Sequence, residues 1–145
     1  HHMCADWVEA NKERFYAVLE EGERICGEWL AYVHGTKYDL KAKVPYVVFD
    51  IIKGTERLSY IDFVERVGRN FSKPALIHIG QPISVKKAME IHKTKNYGAD
   101  EVEGLVYRME RKGKVDFLAK YVRHDKVDGK HLGDDLWNWR PDDTR

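Results

Sequence analysis

The run YVVFDII at residues 46–52 decides the fold prediction, because it is dense in β-branched and aromatic residues that favour a pleated strand. Pro45 precedes the run, at the first position of a strand, where a missing N–H group is tolerated. These features predict a buried β-strand. Asp50 stands inside the run, and a carboxylate buried away from water needs a cation or a ligand as its partner. The strand therefore predicts a core and, within it, a polar contact.

Helical and strand patterns continue on both sides of this run. Ser59 is a good helix N-cap with Asp62 at the capping-box position, and Ser84 caps a further helix. The predicted elements are helices at 5–19, after Ser59 and after Ser84, and strands at 24–33, 46–52, 75–79, 102–109 and 115–122. This order predicts an α+β fold with mixed or antiparallel sheets and flanking helices, and not an alternating doubly wound sheet.

The last two predicted strands, 102–109 and 115–122, flank the turn sequence RKGK at 111–114, which is typical of a β-hairpin. From His124 onwards the chain is polar and rich in turn residues. Trp137 and Trp139 interrupt this polar tail, and we expect their large apolar rings to dock it on the body of the domain.

The size and charge of the chain limit what it can be. Its 145 residues suit one domain, and we assign residues 4–145 to a single domain. Residues 1–3, His-His-Met, read as the end of a purification tag followed by a start methionine. The net charge is +1, from 25 basic and 24 acidic residues, so a site for a polyanion must be a local patch.

The chain is predicted to be soluble and cytoplasmic, without membrane contact. Its longest apolar run, residues 44–52, is far shorter than the roughly 20 apolar residues of a membrane-spanning helix. No signal peptide precedes the domain, and its two cysteines do not form a disulfide framework.

Charged residues inside apolar strands are the candidates for chemistry, because charge is costly there. Taken alone, each segment has a structural explanation. Glu28 can face solvent, Phe49 beside Asp50 can belong to the core, and Lys120 can prevent association through an exposed strand edge. Glu103 can instead hold a divalent metal or a ribose hydroxyl. The glycine after Glu103 would let the backbone approach a ligand closely.

In their order and spacing, four segments resemble the signature of ATP-dependent ligases and mRNA capping enzymes. The segments are Gly27-Glu28, Phe49-Asp50-Ile51, Glu103-Gly104-Leu105-Val106 and Leu118-Ala119-Lys120. The resemblance is strongest to the phage-type RNA ligases that seal nicks in duplex RNA, and it covers roughly Trp7 to Trp139. The segment at 103–106 is the most specific, because a hairpin and a strand lysine follow it. The resemblance implies an incomplete ligase-type nucleotidyltransferase domain with an ATP-grasp-like fold.

The resemblance also implies a reaction, one that serves RNA repair. Family ligases use ATP and Mg²⁺, and a lysine of the enzyme takes up AMP from ATP. The AMP passes to an RNA 5′-phosphate, and a 3′-hydroxyl then displaces it. Charge develops on phosphates in each step, so that positioning and stabilisation by cations carry the catalysis.

Carried over to this chain, the resemblance implies a role for each motif residue. Glu28 would bond the ribose and Phe49 would stack on the adenine of ATP or AMP. Glu103 and Lys120 would be the catalytic pair, with Glu103 binding metal and Lys120 contacting the α-phosphate. Arg123 would add a second phosphate contact. It follows Val122, the position at which the family often has a second lysine.

The nucleophilic lysine of the family has no match at the expected place in this chain. The family's first motif is Lys-x-Asp-Gly before the third motif, whereas Lys12, the only lysine before Glu28, stands in an unrelated helical sequence. We therefore expect that a segment carrying the nucleophile is absent and that the chain is inactive alone. The alternatives are a non-catalytic nucleotide- or RNA-binding module, and a subunit complemented by another chain or a homodimer formed through an exposed sheet edge.

One Lys-x-Asp-Gly run does occur, at Lys126-Val127-Asp128-Gly129, after the last motif. A circular permutation would make Lys126 the nucleophile. The family motif follows an apolar strand of its own, but the strand at 115–122 already carries Lys120. A polar turn is therefore the favoured interpretation of residues 126–129.

Overall fold

A computed structural model describes residues 2–33, 35–40, 43–93, 101–127 and 137–141. The chain begins with two short helices, α1 at His2–Ala10 and α2 at Lys12–Tyr16. The prediction of one continuous helix over 5–19 is wrong, because the structure has two. Asn11 interrupts it, and both its main-chain N–H and its side-chain amide donate to the Trp7 carbonyl oxygen, at 3.0 and 2.9 Å.

The predicted strand at 46–52 is confirmed as the centre of a three-stranded antiparallel sheet. The strands are β1 at Glu23–Trp29, β2 at Tyr46–Lys53 and β3 at Glu56–Arg57, in the order β1-β2-β3. The short β3 was not predicted. The predicted strand at 24–33 ends early, at Trp29, and residues 30–33 lie outside it.

One face of this sheet packs on the main core. Its most buried members come from four separate segments: Val18, Val48, Ile51, Phe63, Val67 and Phe71. Phe15 of α2 meets Phe71 edge-on, with ring centroids 4.9 Å apart, so the N-terminal helices close one side of this core.

Both predicted serine-capped helices are present, α3 at Tyr60–Val67 and α4 at Val85–Lys93. The Ser59 hydroxyl accepts a hydrogen bond from the Asp62 main-chain N–H, as the capping box requires. The strand predicted over 75–79 is wrong. Contact with the sheet ends at Ser72, whose carbonyl oxygen accepts from Val48 N at 2.8 Å, and the residues after it find no partner strand among those described.

The predicted hairpin is confirmed as a second antiparallel sheet, formed by β4 at Gly104–Arg111 and β5 at Lys114–Val122. Lys112 and Gly113 form its two-residue turn, with φ of 52° and 74°. Positive φ at both turn positions matches the right-handed twist of the flanking strands. The fold is therefore α+β with antiparallel sheets and flanking helices, as predicted.

The buried carboxylate of the central strand joins the two sheets. Asp50 is 1% exposed and pairs with Arg57 of β3 on one oxygen and with Arg108 of β4 on the other. Arg108 also donates to the Leu58 carbonyl oxygen and to the Glu110 carboxylate. The cationic partners predicted for the buried Asp50 carboxylate are therefore Arg57 and Arg108.

The tryptophans of the tail dock it on the body, as predicted. Trp137 forms a β-bridge with Tyr32, with their rings 4.3 Å apart, and Trp139 is 4% exposed. Asn138 between them donates its main-chain N–H to the Ala31 carbonyl oxygen at 2.8 Å. Over the described ranges, we find no helix with the length and apolar character that crossing a membrane requires.

Candidate functional site

The strand register gives the first sheet two different faces. Ile25 of β1 pairs with Ile51 of β2, and both belong to the main core. Glu28, which pairs with Val47, lies three residues after Ile25. Because side chains alternate between the faces of a strand, the exposed Glu28 lies on the opposite face. The Asp50 side chain lies on the same face as Glu28. Because Asp50 contacts the second sheet, this face is directed toward the hairpin.

A β-bulge brings Phe49 out of the core. Asp50 pairs with Cys26 and Val48 pairs with Gly27, so Phe49 between them has no partner on β1. Val48 is fully buried, whereas 45% of Phe49 is exposed. The core interpretation of Phe49 is therefore wrong, and its ring is open to solvent beside the central strand.

The hairpin presents one face toward the first sheet. Arg108 reaches Asp50, and in the register Arg108 pairs with Leu118 while Val106 pairs with Lys120. Residues that pair directly, and those two positions along, share a face. Val106, at 63% exposure, and the exposed Lys120 therefore look toward the first sheet. We call the space between the face of Glu28 and Asp50 and the face of Val106 and Lys120 the inter-sheet cleft; Phe49, next to Asp50 on β2, lies at its border.

Glu103 lies just before β4 with both carboxylate oxygens engaged. The Thr36 hydroxyl donates to Oε1 at 2.5 Å, and the Lys126 ammonium lies 3.1 Å from Oε2. The Glu103 main-chain carbonyl oxygen accepts from Arg123 N at 2.9 Å, which fixes the residue against the end of β5. Three segments distant in sequence therefore meet at this carboxylate.

The pKa of Glu103 is lowered from its ordinary value by its neighbours. Burial by itself raises this pKa, but the hydrogen bond from Thr36, the contact with Lys126 and the positive charge of Lys120 together outweigh burial. Glu103 is thus an ionised carboxylate at neutral pH. The effect of Lys120 also places its charge within electrostatic reach of Glu103.

Tyr38 connects this cluster to β1. Its pKa is raised, first by burial and then by the negative charges of Glu103 and Glu28, against the lowering effect of Thr36 and Lys126. Glu28 therefore belongs to the same electrostatic cluster as Glu103. Sequence reasoning missed Thr36 and Tyr38, because they lie after β1 in a segment where the sequence predicts no helix or strand.

Gly104, which was expected to let the backbone approach a ligand, is required for another reason. A Cβ atom there would lie 1.9 Å from the Tyr121 carbonyl oxygen of the paired strand. The missing side chain is thus needed for β4 to pair closely with β5. The hairpin thus gives Gly104 a structural role, and a ligand contact at its main chain stays a prediction.

Arg123 is held by carboxylates at the end of β5. Its guanidinium pairs with Glu101 and lies 3.5 Å from Asp125. The predicted phosphate contact therefore competes with two acidic partners. Lys126, by contrast, is brought to Glu103. Asp128 and Gly129 of the Lys-x-Asp-Gly run lie outside the described residues.

The arrangement does not fit a preformed magnesium site. Within the part of the chain that the structure describes, no group of three or more His, Cys, Asp or Glu side chains could hold a metal ion. Glu103, the predicted metal ligand, has Thr36 and Lys126 as its partners. Mg²⁺ favours octahedral oxygen ligands, and an ammonium group beside the carboxylate opposes a second cation.

Comparison with known proteins agrees with the motif pattern. The sequence model of a family described as RNA ligase matches residues 1–122, a span that includes Glu28, Phe49, Glu103 and Lys120. No curated protein and no solved structure matches the chain. The family match covers most of the 145 residues, and the chain belongs to the RNA ligase family.

Proposed function

We propose that this chain binds an adenine nucleotide, ATP or AMP, in the inter-sheet cleft and takes part in joining RNA ends through a lysyl-AMP intermediate. One observation carries the proposal: the Asp50–Arg108 ion pair, 2.9 Å long, brings the strand face that carries Glu28 against the hairpin face that carries Lys120. Membership of the RNA ligase family supports the same reaction.

The cleft offers a place for each part of the nucleotide. The half-exposed ring of Phe49 suits the base, and stacking on such a ring typically contributes about 1–3 kcal/mol. Val106, exposed on the facing strand, offers an apolar contact for the other side. Glu28 can accept hydrogen bonds from ribose hydroxyls, and the exposed Lys120 is a point charge for the α-phosphate.

The chemistry needs a neutral amine. A lysine Nζ forms a bond to the α-phosphorus of ATP, and the bond to pyrophosphate breaks. The 5′-phosphate of one RNA end then takes the AMP from lysine, and the 3′-hydroxyl of the other end displaces AMP. Lys120 would stabilise the negative charge that develops on the phosphate oxygens.

The one lysine of a Lys-x-Asp-Gly run in these 145 residues is Lys126, and its ammonium is held by Glu103 at 3.1 Å. An ion-paired ammonium has no lone pair with which to attack phosphorus. We therefore expect the chain alone not to form a covalent AMP adduct. The joining reaction would then use a lysine that lies outside these 145 residues.

Nucleotide binding is tested by calorimetric titration of ATP and AMP into the protein. Lys120→Met should weaken the binding of ATP about tenfold or more, because it removes a phosphate contact. Lys86→Met, an exposed lysine on α4, is the matched control and should bind as the parent chain does. No binding by the parent chain, or equal losses in the two variants, would rule out the proposed site.

The nucleophile is tested by incubating the chain with labelled ATP and Mg²⁺, followed by a denaturing gel. No labelled protein band is expected. A covalent band that disappears in Lys126→Ala would instead make Lys126 the nucleophile. Binding of RNA ends without any nucleotide affinity would favour a non-catalytic RNA-binding module.

Unpaired sheet edges among the described strands are the candidate surfaces for a homodimer or a complementing chain, and the edge of β5 is one of them. Over the described ranges, β5 pairs only with β4, so its outer edge offers unpaired main-chain groups. Sizing at several protein concentrations tests self-association through this edge. A single monomeric size at all concentrations would leave a different chain as the complementing partner.

A further inference from the structure

Asn138 in the C-terminal tail is hydrogen-bonded to two parts of the segment that follows β1. Its Nδ2 donates to the Leu30 carbonyl oxygen at 3.0 Å and to the Tyr32 carbonyl oxygen at 3.3 Å. Its Oδ1 accepts from Tyr38 N at 2.9 Å, and its main-chain N–H donates to the Ala31 carbonyl oxygen at 2.8 Å. An amide offers a donor and an acceptor together, so this one side chain ties the start of the segment to its end.

The residues on either side of Asn138 fix its position. The Trp137 ring lies 4.3 Å from the ring of Tyr32. Trp139 is 4% exposed, and its main-chain N–H donates to the Ala31 carbonyl oxygen at 3.2 Å. Both rings bury apolar surface against the body of the domain, so Asn138 projects from a main chain that is held on both sides.

The segment that Asn138 holds carries two side chains of the candidate site. Thr36, which is 6% exposed, donates from its hydroxyl to Glu103 Oε1 at 2.5 Å. The Tyr38 hydroxyl is hydrogen-bonded to Thr36, while the Tyr38 main-chain N–H donates to Asn138. A continuous chain of hydrogen bonds and main chain therefore leads from the tail to the Glu103 carboxylate.

We propose that Asn138 is a positioning residue of the candidate site, which holds the segment after β1 so that Thr36 reaches Glu103. The inference rests on the proposed function in treating Glu103 and its neighbours as part of the nucleotide site. Asn138 acts indirectly, through the main chain of residues 30–38. It also extends the site beyond residues 1–122, the span that the family model matches.

The test measures the pKa of Glu103 by carbon NMR of protein labelled at its glutamate carboxylates, with Glu103→Gln identifying the signal. Asn138→Ala should raise this pKa toward its ordinary value, because the hydrogen bond from Thr36 that helps to lower it is weakened. The charges of Lys120 and Lys126, which also lower the pKa, remain in this variant.

Two comparisons separate positioning from a general loosening of the fold. Asn11→Ala removes a donor to the Trp7 carbonyl oxygen and an acceptor for Arg14 Nε, and should leave the pKa of Glu103 unchanged. In a Thr36→Val background, Asn138→Ala should cause no further rise, since the hydrogen bond it supports is already absent. The proposal is overturned if Asn138→Ala leaves the pKa unchanged, if Asn11→Ala raises it equally, or if the full rise persists without the Thr36 hydroxyl.

If Asn138→Ala fails to fold, Asn138→Ser takes its place with the same expected rise, because its side chain is too short to reach Tyr38 N. ATP titration of the folded variant should show at least about threefold weaker binding than the parent chain, since the displaced segment carries part of the site. A raised pKa with unchanged ATP affinity would overturn the role of Asn138 in the nucleotide site. The pKa measurement contains no nucleotide, so if the parent chain binds no ATP, the proposed function fails while the effect of Asn138 on Glu103 is still decided.

Discussion

Arg108 on β4 donates from Nη1 to Asp50 Oδ1 on β2 at 2.9 Å, and this ion pair links two sheets that share no main-chain ladder. The Asp50 side chain is only 2% exposed, and Arg57 holds its second oxygen. Since Phe49 is the residue before Asp50 and Val106 lies two positions before Arg108, this contact ties the strand that carries Phe49 to the strand that carries Val106.

Replacing Asp50 by Ala should lower the free energy of unfolding by about 3–5 kcal/mol, because it removes the carboxylate that Arg57 pairs with and leaves the mostly buried Arg108 with Glu110 as its carboxylate partner. Urea denaturation at neutral pH measures this change. Glu56→Gln is the matched control. It breaks an exposed ion pair with Lys114, 3.5 Å long, and should cost less than about 1 kcal/mol. Similar losses in both variants would contradict the role of Asp50.

The parts of this fold that the sequence predicted are those in which local pattern and tertiary partners agree. The strand at 46–52 is apolar enough to be central in any sheet, and the hairpin turn at Lys112-Gly113 suits positive φ. The run at 75–79 has a similar local pattern, but it finds no strand to pair with among the described residues. Leu76 and Ile79 are accordingly 43% and 68% exposed.

The candidate site could be predicted only in part, for a related reason. Glu28, Glu103 and Lys120 stand out because each is a charge in an apolar strand pattern. Thr36 and Tyr38 lie in an irregular segment, where a polar residue is ordinary and carries no signal. Their meeting with Glu103 depends on the path of the chain between β1 and β2, which no local pattern specifies.

Thr36→Val should make the protein less stable at neutral pH, by about 1 kcal/mol, because it removes a hydrogen bond to an ionised carboxylate. The pKa of Glu103 is lowered in the folded chain, so its contribution is present above the ordinary carboxylate pKa and is lost as the pH falls through the folded value. The difference between the parent chain and Thr36→Val should therefore shrink below about pH 4.

Urea midpoints measured at pH 7 and at acid pH check this prediction. Thr55→Val, at an exposed position in the turn between β2 and β3, controls for the loss of a threonine hydroxyl. A stability difference between the parent chain and Thr36→Val that stays constant from pH 7 to pH 3 would show that the Thr36 hydroxyl does not act through the Glu103 charge.

Gly104→Ala should destabilise the hairpin, since the new Cβ would lie 1.9 Å from the Tyr121 carbonyl oxygen and the strands would have to separate. We expect a loss of about 1–3 kcal/mol in the free energy of unfolding, as for other overpacked sites. Gly113→Asn is the control. Gly113 has φ of 74° with open space around it, and asparagine tolerates this conformation. An unchanged free energy of unfolding in Gly104→Ala would show that strand pairing does not require glycine at position 104.

Phe49→Ala should weaken ATP and AMP binding by the same factor, because a ring that stacks on the base is indifferent to the number of phosphates. Losing one stacked ring typically costs about 1–3 kcal/mol, roughly 5- to 150-fold in affinity. The ring is 45% exposed in the unliganded chain, so stability should change little. Calorimetric titration of both nucleotides, with thermal unfolding alongside, measures the two effects.

Phe117→Ala is the matched control for this ring. Phe117 is 49% exposed, but it lies three residues from Lys120 on β5 and so takes the opposite face of the hairpin, away from the cleft. Its removal should leave both nucleotide affinities unchanged. If Phe49→Ala binds ATP normally while Lys120→Met does not, the base lies elsewhere in the cleft, and the exposed Val106 becomes its nearest candidate contact. If instead Phe49→Ala weakens ATP binding but not AMP binding, the ring does not stack on the base. It then affects only the phosphates that ATP has and AMP lacks.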